Sequence, residues 1–247
     1  GVLSVGGGAT TTFTSSAASP AAGDWAGIRV QPFGSLLLQD AVVEYADNAL
    51  RIIDVRRGSL VEDVIVRHVS GHAVHLEADE GAHVMTRVTL EDIGETGLLL
   101  TGEAPVEIND PQISLCGGPG LHRQGGFLHC TGGVFTDNGQ AQPGWINMQL
   151  GRGVFGTIAD NRYRGGTGVF VDGAGQVRIE DNLFIETRVA LMHRNGHAWI
   201  NRNTISRSDT AFQIQGVTQP ERMELNRLDN VSLLIDNRTS ADVVAIR

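Results

Sequence analysis

Val169-Phe-Val-Asp-Gly-Ala-Gly-Gln-Val-Arg-Ile-Glu-Asp-Asn-Leu-Phe-Ile185 contains three short apolar runs separated by two turn signals. The runs are Val169-Phe-Val171, Val177-Arg-Ile179 and Phe184-Ile185; the breaks are the Gly-rich stretch after Asp172 and the pair Asp181-Asn182. Alternating apolar residues bounded by Gly, Asn and Asp predict β-strands ending in tight turns. The pattern recurs in the next coil as Leu191-Met-His193, Trp199-Ile200 and Asn203-Thr-Ile205. Working outward, first strands begin at Gly27-Ile-Arg-Val30, Leu50-Arg-Ile52, Val74-His-Leu76 and Leu98-Leu-Leu100. They continue at Phe127-Leu-His129, Ile146-Asn-Met148, Phe212-Gln-Ile214 and Leu233-Leu-Ile235, mostly 21 to 24 residues apart. Helical spacing is nowhere sustained. About ten coils of three short strands predict an all-β parallel β-helix, a solenoid occupying 1–247 as a single domain.

Asn161, Asn182 and Asn203 recur 21 residues apart, where the second strand turns into the third. Stacked coils bring such amides to roughly 4.8 Å, close enough for each to donate to the next. Third strands align Glu44, Arg67 and Glu91 in one column, with Tyr45, His68 and Asp92 beside it. The stretch 102–144 departs from the period and is expected to be an irregular insertion. Cys116 and Cys130 flank its Gly-rich part; a disulfide there would staple a loop and point to an oxidising compartment, with two free thiols as the alternative. The strand-like start Val2-Leu-Ser-Val5 and end Val243-Val-Ala-Ile-Arg247 suggest a piece of a longer chain with flanking domains.

The phrases Asp181-Asn-Leu-Phe-Ile185 and Asn201-Arg-Asn-Thr-Ile205 resemble the right-handed parallel β-helix repeats of the pectate-lyase-like superfamily. Phe13-Thr-Ser-Ser16, with Gly23-Asp-Trp-Ala-Gly-Ile-Arg-Val30, resembles an opening coil of large secreted bacterial β-helix proteins. The resemblance implies polysaccharide lyases, hydrolases, epimerases, tailspikes, adhesins or periplasmic accessory proteins, with ligands along the first sheet. It also implies a secreted, cell-surface or periplasmic location.

The net charge of −9 argues against a nucleic-acid partner, and no apolar run is long enough for a membrane span. All 19 basic residues are Arg, which removes any Lys base or Schiff base. Polygalacturonase-type signatures fail, because no Asp-Asp pair occurs and Gly71-His-Ala73 and Gly196-His-Ala198 lack the final Gly. The epimerase phrase fails at Asn109-Asp-Pro-Gln112.

Strand parity places one outward column at Arg29, Arg51, His75, Leu99, Leu128, Asn147, Phe170, Met192, Gln213 and Leu234. A second contains Gln31, Glu77, Thr101, Gln149, Asp172, Arg194, Gln215 and Asp236. Asn147, Gln149, Phe170, Met192, Gln213 and Gln215 form the candidate substrate-binding patch, since amides and a ring suit sugar hydroxyls and ring faces. Asp172 and Arg194, one coil apart, are the candidate catalytic pair: a base for proton abstraction and a cation for a uronate carboxylate. No cofactor is expected, except Ca²⁺ if the chain is a lyase. His68, His72, His75, His83 and Met85, with His193 and His197, raise copper handling as a third possibility, although parity predicts that His72 and His75 face opposite ways. The first expectation is a scaffold or binding surface for polysaccharide or a surface protein. Polysaccharide lyase or glycoside hydrolase, then copper handling, are the alternatives.

Overall fold

The computed structural model describes residues 2–142, 144–216 and 222–238. Within them, ten strands stack in parallel in each of three sheets. The first sheet runs from Ile28–Val30 to Leu233–Asn237, the second from Val2–Val5 to Arg222–Glu224, and the third from Thr11–Phe13 to Arg227–Asp229. Ser35–Glu44 and Ser59–Val69 bend from the second sheet into the third, whereas Thr167–Glu180 and Val189–Asn201 bend from the first into the second. The end Val243-Val-Ala-Ile-Arg247 lies outside the described residues.

Two columns of left-handed residues make the corners. Asp40, Asp63, Arg87, Asp110, Asp160, Asp181, Arg202 and Leu225 turn the second sheet into the third, with φ between 51° and 58°. Tyr45, His68, Asp92, Leu115, Asp137, Glu186, Arg207 and Asn230 start the return to the first. Asp and Asn tolerate this region because their short polar chains bond locally, which explains why Asp-Asn reads as a corner in the sequence. The columns expected from the third strands form: Arg67 pairs with Glu44 at 2.8 Å, Tyr45 stacks on His68 at 5.3 Å, and His68 meets Asp92 at 2.7 Å.

Inside the corner between the second and third sheets the amide ladder forms and gains a member. Oδ1 of Asn182 accepts from the backbone N–H and side-chain amide of Asn161 at 3.0 and 3.1 Å. Asn203 does the same for Asn182, and Asn226, not anticipated, does so for Asn203. Each amide also donates to backbone carbonyls of the coil, so its polar atoms are satisfied although Asn161, Asn182 and Asn203 are buried.

The stretch 102–144 is not an irregular insertion. Val106–Asn109, Gln112–Cys116, Leu121–Gln124, Phe127–Thr131 and Val134–Thr136 continue the three sheets through it. Leu98 pairs with Leu121 and Leu121 with Met148, so the first-sheet strand of this coil is Leu121–Gln124. Phe127–Thr131 belongs to the second sheet, where Leu128 pairs with Val106 and points inward. The extra residues are confined to the longer turn between Val134–Thr136 and Ile146–Leu150.

The expected disulfide is also absent. Cys116 sits in the third sheet beside Ile93 and Cys130 in the second beside Ile108, one coil apart. Both are free and fully buried, and burial pushes the Cys116 thiol up to about 12 and Cys130 higher still. The thiolate is the reactive form, so neither cysteine is expected to react with a thiol reagent at neutral pH in the folded chain. Both should react after denaturation without prior reductant, and thiol titration with and without denaturant checks this.

Candidate functional site

The first sheet presents its outer face as two columns fixed by the observed register. One runs Arg29, Arg51, His75, Leu99, His122, Gln149, Phe170, Met192, Gln213, Asp236. His122 therefore occupies the place expected for Leu128, Gln149 that expected for Asn147, and Asp236 that expected for Leu234. Asn147 does not reach this surface. It is fully buried, accepts from the Asn138 amide at 2.9 Å, and donates to the carbonyls of Arg164 and Gly165 at 3.0 Å. Its amide closes the corner below the long turn, so its role is structural.

Asp172 and Arg194 do meet. Nε of Arg194 donates to Oδ1 of Asp172 at 2.8 Å, and a second guanidinium nitrogen reaches Oδ2, a two-pronged pair. The guanidinium also lies over the Phe170 ring at 5.3 Å. Phe170 is nearly covered, and Met192 and Gln213 continue its column. Gln213 donates to Asp236 at 2.8 Å, and Gln215 is half-buried one coil beyond Arg194. Hydrogen bonding to Arg194 holds the Asp172 carboxyl below the usual carboxylate range, and the same contact raises Arg194. Each partner thus satisfies the other: the carboxylate is a weakened base and the guanidinium a poorer proton donor.

Beside this pair the face opens into a depression of about 480 Å³. Its lining includes Thr101, Glu103, His122, Gln124, Gln149, Arg152 and Asp172. Of these, Glu103, His122 and Gln124 fall in the stretch 102–144 expected to be an insertion, which hides them as site residues; Arg152 lies beyond that stretch, after Ile146–Leu150, and was not anticipated either. Gly102, Gly125 and Gly151 keep the rim low. At Gly102, φ is 92° and a Cβ would lie 2.2 Å from the Ala78 carbonyl, so no side chain can narrow the opening there.

Burial lowers the pKa of His122 and of His75, with nearby His72 adding to it in both. A neutral His122 accepts at Nε2 from the Gln124 amide at 3.2 Å. Neutral imidazole, amides and a carboxylate side by side offer both donors and acceptors, the chemistry of hydroxyl recognition.

His72 and His75 are not on opposite sides. Their rings meet edge to face at 5.7 Å, because His72 precedes the strand Val74–Glu77 and strand parity does not govern it. Among the described residues no three His, Cys, Asp or Glu side chains gather in a way that would hold a metal ion.

Arg123 is a further residue that the sequence reading missed. It points inward in the column of Leu100 and Leu150 and is fully buried. It donates to the Ala104 carbonyl at 2.7 Å, and burial lowers its pKa to about 10. It lies behind the floor of the depression rather than in it.

Residues 24–205 match a family model described as a right handed beta helix region. No curated protein and no solved structure matches the chain. No helix among the described residues is long and apolar enough to cross a membrane.

Proposed function

The chain belongs to the right-handed β-helix family, and from that premise we propose that it is an extracytoplasmic binding module whose first sheet holds a polysaccharide. The fold itself supports a scaffold, binding or carbohydrate-active role. The observation that carries the finer reading is the depression around His122, Gln149 and Asp172. Its lining is rich in polar side chains, which favours a hydroxylated ligand over an apolar one. It lies along a rigid stack of strands, so an extended ligand meets a preorganised surface and loses little to ordering of the protein. Asp172 and Arg194 act here as a locked pair that covers the Phe170 ring. Both carboxylate oxygens are already engaged, which favours binding over proton abstraction at this pair.

Electrophoresis through gels containing pectate, alginate or β-glucan tests the reading. Retardation by at least one of the three is expected, with binding weakened about tenfold in the double variant His122→Ala, Gln149→Ala. Both positions are on the outer face, so the fold should survive, as thermal unfolding would verify. Unretarded migration in all three gels, or a double variant that binds as the parent does, would overturn the proposal.

A further inference from the structure

The second sheet carries a cleft that none of the features above uses. Its outer face has two columns: Phe127, Phe155, Gln176, His197, and His129, Thr157, Arg178, Trp199, Arg222. Phe127 and Phe155 stand edge to face at 5.7 Å on one side. On the other, the Arg178 guanidinium lies over the Trp199 ring at 5.0 Å. Between them Thr157, Gly156 and Val177 form the floor of a cavity of about 310 Å³. Gly156 cannot fill it, because a Cβ there would fall 1.9 Å from the Leu128 carbonyl.

Three aromatic side chains are left in solvent here, with Phe127, Phe155 and Trp199 exposed at 37%, 47% and 46%. Arg178 is unusual beside its neighbours. Arg202 is tied to Asp181 and Glu180, and Arg222 to Glu224, whereas Arg178 has no carboxylate partner among the described residues. A guanidinium lying face-on against an indole keeps its in-plane N–H groups free, and their fork matches a planar carboxylate. From the rung of Phe155 to that of Trp199 is two steps of about 4.8 Å, a span suited to two linked pyranose rings.

We infer that this cleft is a second ligand site, one that binds an acidic oligosaccharide. A sugar ring packs on Trp199 and Phe155, and a uronate carboxylate is held by Arg178. The inference shares with the proposed function only its ligand class and places that ligand on a different face. Calorimetric titration with trigalacturonate and with neutral galactotriose tests it, using the whole chain, Trp199→Ala, Arg178→Gln, and the first-sheet variant His122→Ala, Gln149→Ala. The acidic trimer is expected to bind at least about tenfold more tightly than the neutral one. The first-sheet variant should keep that preference; placed in its background, Trp199→Ala should abolish the remaining binding and Arg178→Gln should erase the preference for the acidic sugar. Binding by the first-sheet variant that survives Trp199→Ala, equal affinity of that variant for the two trimers, or no heat with either overturns the inference. Loss of binding only in the first-sheet variant would overturn it while leaving the proposed function standing.

Discussion

Tyr163→Ala is expected to destabilise the folded chain by about 3–5 kcal/mol, the cost of truncating a fully buried aromatic. Tyr163 is the middle member of a stack that fills the third sheet's inner face. Its ring lies 5.2 Å from Phe135 and 4.9 Å from Phe184, nearly parallel to both. Removing it opens a gap between two rings held by the register of neighbouring coils, and the strands on either side cannot close over it without breaking their ladders. Tyr163→Phe isolates the hydroxyl. That group has only a weak contact with the Met148 sulfur at 3.6 Å, so the change should cost less than about 1 kcal/mol. Denaturant unfolding of both variants checks the pair. Similar losses in the two would show that the hydroxyl, and not the stack, holds this layer.

Asn182→Ala should cost about 2–4 kcal/mol, because it strands several buried polar groups at once. The Asn161 backbone N–H and side-chain amide lose their acceptor, and the carbonyls of Ile158 and Glu180 lose a donor. Asn226→Ala removes an end of the same ladder, which is less buried, and should cost less. Hydrogen exchange supplies a local readout. The Asn161 amide should lose protection in Asn182→Ala well before distant coils do, since each coil contacts chiefly its neighbours. Uniform loss along the whole solenoid would contradict this picture.

The coils with the plainest sequence signature are those built on this ladder. Asp181-Asn182 and Arg202-Asn203 mark left-handed corners followed by inward amides, two requirements that few residues meet together. Alternation then set most of the first-sheet face correctly, including the contact of Asp172 with Arg194. It failed where an inward position is not apolar. In Leu121–Gln124 the inward residues are Leu121 and Arg123, so a charged residue occupies a core slot and the strand does not read as one. The longer turn before Ile146 then stretched the period, and the register slipped by two residues at Asn147. The cysteines compounded the error. As spacings they suggest a staple, yet each is a small apolar core residue of a regular strand, which is how buried free cysteine ordinarily behaves. The second-sheet cleft left no sequence signal, because Phe127, Phe155 and Trp199 become neighbours only through a stacking register that the misplaced coil had obscured.

Amide chemical-shift mapping of the folded chain with oligomers of whichever polysaccharide retards it most tests the central claim directly. On the proposed function, the largest shifts fall on the first-sheet coils around His122, Gln149 and Asp172. Shifts absent from those three coils, with bound oligomer present, would contradict it.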